Sequence, residues 1–263
     1  MITRRACFSA SHLYCLPELN GPENRARFGL CSLEPGHGHN YELVVAMAGA
    51  LDRNGMVLNL SEVKHAIQEH VIEPLNFRCL NTSWPEFDVS RPEGCLPTTE
   101  ALALAIRHRL SHHLPVVAIR LYEHPDLWAD VLTVPTLLPM EAFLTIRTHF
   151  AAAHRLAREE LSQAENEAIY GKCARVHGHG HNYLLEVTVR GPIDGRTGMV
   201  CDLAALQQLV QDRVVEPFDH TFLNKDIVHF ASCVPTAENI ALHIADLLNA
   251  PVAALGARLH KVR

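Results

Sequence analysis

Six histidines, in two matched sets of three, offer this chain's strongest chemistry. His37 and His39 stand two apart, and His179 and His181 repeat the spacing. On an extended strand residues i and i+2 point to the same face, so each pair can chelate one ion. His12 precedes the first pair and His154 precedes the second, each offering a third imidazole. Three neutral imidazoles with an open fourth position make a catalytic zinc site, with Zn–N distances of about 2.0–2.1 Å. Glycines 36, 38, 178 and 180 would let backbone or substrate approach closely. A lone His-Gly-His suits a glycine-rich loop as well as it suits a ligand set. The zinc reading rests on the recurrence of all three histidines at one offset, 142 residues.

That offset extends beyond the histidines. Phe8-Ser9-Ala10-Ser11-His12 returns as Phe150-Ala151-Ala152-Ala153-His154, and Gly29-Leu30-Cys31 as Gly171-Lys172-Cys173. Gly36-His37-Gly38-His39-Asn40-Tyr41 returns as Gly178-His179-Gly180-His181-Asn182-Tyr183. The register then slips by one, pairing Gly55-Met56-Val57 with Gly198-Met199-Val200, Glu73-Pro74 with Glu216-Pro217, and Leu80-Asn81 with Leu223-Asn224. After a length change, Pro97-Thr98 and Glu100 match Pro235-Thr236 and Glu238. Matches in constant order predict a tandem duplication. The period is too long for a solenoid repeat, so each copy is expected to be a domain. The Pro-rich stretch 134–139 marks the boundary, giving a first unit over 1–136 and a second over 140–263.

Other residues add reactivity. Cys31 and Cys173 align between copies at the same offset of 142 as the histidines. A thiol beside a cation is easily deprotonated, so each is a candidate base or nucleophile, against the alternative of a buried structural cysteine. Asp219-His220 is a carboxylate beside an imidazole, a pairing suited to proton transfer. Copy one reads Asn76-Phe77 there and lacks that chemistry. Glu123 closes an apolar run, either as a site carboxylate or as a solvated loop acid.

The elements that must position these groups can be read coarsely. Strands are expected over 2–9, 40–48, 115–122 and 128–134, and again over 143–149 and 182–190. Helices are expected over 61–71, 98–112, 203–214 and 236–248, with Asn59 or Ser61, and Asp202, as N-caps. Strands and helices grouped this way favour an α+β fold with an antiparallel sheet. The 263 residues suffice for one large or two small domains, and 48% apolar with 20% charged residues excludes a mainly disordered chain. A net charge of -6 disfavours nucleic-acid binding. No apolar run approaches a membrane span, no signal peptide is evident, and no Cys-x-x-Cys occurs. A cytoplasmic chain with reduced thiols is expected.

Together Phe-x-Ala-x-His, Gly-x-Cys-x5-His-Gly-His-Asn-Tyr, Gly-Met-Val, Asp-His-x-x-Leu-Asn and Pro-Thr-x-Glu-Asn resemble the 6-pyruvoyl-tetrahydropterin synthase and 6-carboxy-tetrahydropterin synthase family. Copy two carries all five motifs. Copy one keeps three, with Asn76-Phe77 for Asp-His and Ala101 where copy two has Asn239. The resemblance implies two tunnelling-fold units, each a four-stranded antiparallel sheet with two helices on one face. It implies assembly through sheet edges into a homo-oligomer. The implied substrate is 7,8-dihydroneopterin triphosphate, with Zn2+ on His12, His37 and His39 and on His154, His179 and His181. It further implies a cysteine base at Cys31 or Cys173, a relay at Asp219 and His220, and a pterin-anchoring glutamate at Glu123.

Val262-Arg263 corresponds to Ile119-Arg120, so the second unit is expected to lack its final strand and its glutamate. The losses are complementary. One complete site is expected, combining His12, His37, His39, Cys31 and Glu123 with Asp219 and His220. The Cys-x5-His spacing resembles the pyruvoyl branch, although His177 also lies at x3. Glu34, three residues after Cys31, is similar to family members that cleave dihydroneopterin substrates. Arg155, Arg158, Lys172 and Arg175, or Arg25 and Arg27, are candidates for the triphosphate or for plain surface charge. A zinc- and pterin-binding remnant without turnover and a structural zinc protein are the remaining alternatives.

Overall fold

The computed structural model describes residues 1–133 and 141–263, so the 134–139 boundary stretch lies outside the described residues. The chain forms two compact units. One holds Met1–Thr145 with Arg190–Ala204, and the other Ile146–Val189 with Ala205–Arg263. A piece of the second repeat therefore belongs to the first unit, which sequence matching gave no sign of.

The first unit is built on β1 (Ile2–His12), β2 (His37–Met47), a short β3 (Arg78–Cys79), β4 (Val116–His124) and β5 (Leu127–Leu132). β1, β2, β4 and β5 form an antiparallel sheet in that order, and β3 adds to β1 in parallel. Period-two alternation decides which residues share a face. Phe8, Ala10 and His12 are buried on β1, Tyr41, Leu43 and Val45 on β2, and Ile119, Leu121 and Glu123 on β4. Register places His12 opposite His37, Ala10 opposite His39 and Phe8 opposite Tyr41. The same alternation that buries the core thus brings His12, His37, His39 and Glu123 to one end of one face. Both strands run further than composition suggested, and His12, His37 and His39 lie within them.

The expected helix over 61–71 begins at Leu60, capped by the Asn59 side chain, and continues through a wider turn at 68–72. The helix Thr99–Ser111 is capped by Thr98. A helix at Gly21–Phe28 was not anticipated, nor was its repeat at Gln163–Tyr170. Both open on a reciprocal capping box, Asn20 with Glu23 and Ser162 with Glu165, a pattern legible in the sequence.

The second unit contains the end of β6 (Glu141–His154), the start of β7 (His179–Pro192), a short β8 (Thr221–Phe222) parallel to β6, and β9 (Arg258–Val262) beside β7. Its helices are Gln163–Tyr170, Leu203–Val210, shared at its start with the first unit, and Ala237–Ala254. Among the described residues this unit has no counterpart of β5.

One buried asparagine per repeat organises the loop after the first histidine. Asn24 accepts from Leu16 N–H at 2.8 Å and donates to the carbonyls of Leu16 and Leu19 at 3.0 and 2.9 Å. Asn166 makes the same bonds with Arg158 and Leu161, at 2.8, 3.0 and 3.1 Å. Removing one side chain strands several buried polar groups at once. Asn24→Ala is expected to lower unfolding stability by about 2–4 kcal/mol, read as a shift in urea midpoint at unchanged slope.

Candidate metal centres and their surroundings

In the first centre the ring centroids of His12, His37 and His39 lie 4.5, 5.0 and 4.8 Å apart. In the second, His154, His179 and His181 lie at 4.6, 5.1 and 4.7 Å. The possible ligand atoms in each set are all within 4.8 Å of one another. His12 Nε2 faces His37 Nε2 at 3.1 Å, and His154 Nε2 faces His179 Nε2 at 3.2 Å. Two ring nitrogens that close need a shared proton or a shared cation.

The outer nitrogens are fixed by the protein. His154 Nδ1 donates to the Pro235 carbonyl at 2.8 Å, and His12 bonds the Pro97 backbone. Those bonds set the tautomer that leaves Nε2 free as a lone pair. Burial, aided by His37 and His39, lowers the His12 pKa to about 3, and burial lowers those of His37 and His39 as well. Neutral imidazoles are the form a metal needs. His39 Nε2 is buried without a hydrogen-bond partner, 3.5 Å from Glu123 Oε1. An orphaned buried nitrogen on one of three clustered imidazoles fits a transition-metal ion.

The backbone around each centre is equally repeated. Gly36 has φ +97°, and a Cβ there would stand 2.4 Å from the His12 carbonyl oxygen; Gly178 has φ +66° and the same conflict at 2.6 Å with His154. Only glycine fits either place. Asn81 bridges Leu13 N–H and C=O at 2.9 Å each, and Asn224 bridges Arg155 at 2.8 and 2.9 Å. Each pins the residue that follows the first histidine. Tyr41 Oη lies 3.3 Å from His12 Nδ1, and Tyr183 Oη 3.4 Å from His154 Nδ1.

The surroundings then diverge. Glu123 is buried beside the first centre and accepts from Thr99 Oγ1 at 2.6 Å. Burial pushes its carboxyl pKa up. Cys31 sits in a tight turn whose carbonyl accepts from Tyr14 N–H at 2.8 Å. Burial and the nearby Glu123 carboxylate push its thiol up. Cys173 occupies the matching turn, its carbonyl accepting from Leu156 N–H at 2.9 Å. His181 has no neighbouring carboxylate like Glu123 among the described residues.

Asp219 and His220 are hydrogen-bonded in the second unit, Nδ1 to Oδ2 at 2.7 Å. The other oxygen of Asp219 accepts from Ala151 N–H at 2.7 Å, and this bond holds the carboxyl below its usual range. Asn76 Oδ1 makes the equivalent bond to Ser9 N–H at 2.9 Å. Phe77 and His220 share a left-handed backbone, with φ of +57° and +58°. Copy one therefore keeps the architecture of the pair without its proton chemistry. Of the basic candidates, Arg155 donates to the Ala174 carbonyl and Gln163, Arg158 pairs with Glu160, and Arg25 bonds the Gly29 carbonyl. These three already have structural partners.

Sequence reading missed Thr99 and Glu100. Glu100 is 4% exposed, accepts from Val200 N–H at 3.1 Å, and has its pKa raised to about 7 by burial. The repeated Pro-Thr-x-Glu pattern was the available signal. A carboxyl with a folded pKa above its unfolded value holds its proton more tightly in the native state. Its stabilising contribution is complete below about pH 4.3 and lost as pH rises to about 7. Glu100→Gln keeps the acceptor for Val200 and removes this titration. The variant is expected to show a flatter pH dependence of melting temperature between about pH 5 and 8 and greater stability at the upper end.

The family profile "6-pyruvoyl tetrahydropterin synthase" matches residues 1–133 and again 143–263. The 6-pyruvoyl tetrahydrobiopterin synthase of Drosophila melanogaster is 50% identical over 105 residues, 40% of this chain and 62% of that protein. The protein of the same name from Homo sapiens is 44% identical over 108 residues, 41% of this chain and 74% of that protein. The structure of Caenorhabditis elegans 6-pyruvoyl tetrahydropterin synthase is 39% identical, covers 46% of this chain and 86% of its own, and gives a TM-score of 0.44. Each relative is similar over about the length of one repeat, and the Drosophila protein is matched over less than two thirds of its length. The chain belongs to the 6-pyruvoyl tetrahydropterin synthase family, whose domain it carries twice.

Proposed function

We propose that this chain is a zinc-dependent lyase that converts 7,8-dihydroneopterin triphosphate into a 6-substituted tetrahydropterin, the 6-pyruvoyl or 6-carboxy product, with loss of triphosphate. The observation that carries the proposal is the first centre, where three neutral imidazoles converge beside a buried glutamate and a half-buried cysteine. An all-imidazole set with a vacant position suits zinc. When bound, the ion supplies Lewis acidity to substrate oxygens.

The chain's own residues do the rest. Glu123, steadied by Thr99, presents a carboxyl that can accept from the ring N–H groups of a pterin. Cys31 takes a proton from the substrate side chain, and turnover draws on Asp219 and His220 of the second repeat. Asp219 holds Nδ1–H of His220, leaving Nε2 free to accept or deliver a proton. The second centre, with Cys173, binds an ion but contributes little or no turnover. The reading extends to a homo-oligomer joined through sheet edges and to the cytoplasm, in keeping with eight free cysteines and no described helix long and apolar enough to cross a membrane.

The test is release of inorganic triphosphate from 7,8-dihydroneopterin triphosphate by zinc-loaded protein under anaerobic conditions. Release in step with substrate loss supports the lyase. Intact substrate with zinc bound at both centres contradicts it.

A further inference from the structure

The outer helices of the first unit carry imidazoles that neither histidine triad uses. His65 lies on the helix Leu60–Ile67, and Glu69 and His70 lie on the wide turn 68–72 that continues it. Residues four apart share a helix face, and His65 Nε2 stands 3.4 Å from Glu69 Oε2. His70 Nε2 stands 3.9 Å from the same oxygen. The His70 ring is stacked on that of His113, just past the helix Thr99–Ser111, with centroids 3.8 Å apart and planes 12° from parallel. These four side chains and Glu62 line one surface recess of about 430 Å³.

The second repeat shows what this part of the fold requires. The same helix and wide turn recur at Leu203–Val210 and 211–215. In the register that pairs Glu73 with Glu216, the residues at His65, Glu69 and His70 become Gln208, Asp212 and Arg213. Gln208 Nε2 donates to Asp212 Oδ1 at 2.7 Å. An amide and a carboxylate therefore suffice to build the turn. What the first repeat adds is two imidazole nitrogens around one carboxylate oxygen.

Two nitrogens and a carboxylate oxygen suit a divalent first-row ion such as zinc, whereas calcium and magnesium favour oxygen alone. A tetrahedral zinc shell places ligand atoms about 3.3 Å apart. The pair of His65 and Glu69 already has nearly that spacing, and His70 reaches it by a small shift. The exposed His65 side chain closes the remaining side by rotation. We propose that His65, Glu69 and His70 form a third metal site on this chain, holding an exchangeable divalent first-row ion, with water completing the shell and the His113 ring stacked behind His70. The site closes on its ion at the surface, so it exchanges with solution and empties on desalting, which the two buried triads do not.

The test is isothermal titration calorimetry of zinc chloride into tag-free, zinc-loaded and desalted full chain, with both triads already filled. One further ion per chain is expected. His65→Ala, Glu69→Gln and His70→Ala are each expected to weaken that binding at least about tenfold, since each removes one of three ligands. Each variant should still retain two ions after desalting and show a native far-UV circular dichroism spectrum, which separates loss of the site from loss of the fold. His108 and His112, four apart with ring centroids at 5.0 Å, are the competing chelate nearby. No further ion in the wild type, unchanged affinity in Glu69→Gln and His70→Ala, or affinity lost with His112→Ala instead would each overturn the proposal. The readout is ion binding rather than turnover, so failure here leaves the lyase reading untouched.

Discussion

Cys31→Ala is expected to lower turnover of 7,8-dihydroneopterin triphosphate by about 10³-fold, in the range lost with a general acid or base. Cys173→Ala is expected to leave it near wild type. The two cysteines occupy superficially equivalent turns, and only their neighbours separate them. Cys31 shares its unit with a buried Glu123 that Thr99 holds at 2.6 Å and that stands 3.5 Å from His39. The second centre has no carboxylate beside His181 among the described residues. The asymmetry runs the other way for the relay, because Asp219 and His220 are paired and Asn76 and Phe77 are not an acid–base pair. His220→Ala is accordingly expected to impair the same turnover that Cys31→Ala removes. Steady-state kinetics on these variants decide the assignment. Intact turnover in Cys31→Ala with turnover lost in Cys173→Ala would reverse it.

The second large effect concerns metal content. The wild type is expected to hold two zinc ions per chain after loading and desalting, measured by inductively coupled plasma mass spectrometry. His37→Ala and His179→Ala should each hold one, and the double variant none. Removing one imidazole of three leaves a two-ligand site that cannot compete with buffer for the ion. Activity should divide differently from metal, falling with His37→Ala and persisting with His179→Ala. Two ions retained in His37→Ala would show that the first triad is not a ligand set.

Much of this was legible in the residues alone. A constant offset of 142 located both triads before any fold was known. Period-two alternation then explained why His37 and His39 share a face and why Glu123, at the end of β4, faces them. What stayed hidden depends on pairings distant in sequence. Glu100 receives its hydrogen bond from Val200, and nothing local in either segment announces the other. Asn76 reads as a lost relay residue, yet it preserves the bond to Ser9 that holds the turn. Repeat matching divides the chain near the Pro-rich stretch, whereas packing assigns Arg190–Ala204 to the first unit, because Arg196 and Met199 find their partners there.

The most direct test of the account is mass spectrometry of the products formed anaerobically from 7,8-dihydroneopterin triphosphate by zinc-loaded wild type. The expected product is a tetrahydropterin carrying a pyruvoyl or carboxy group at position 6, with free triphosphate. Unchanged substrate, with both centres confirmed to hold zinc, would contradict it.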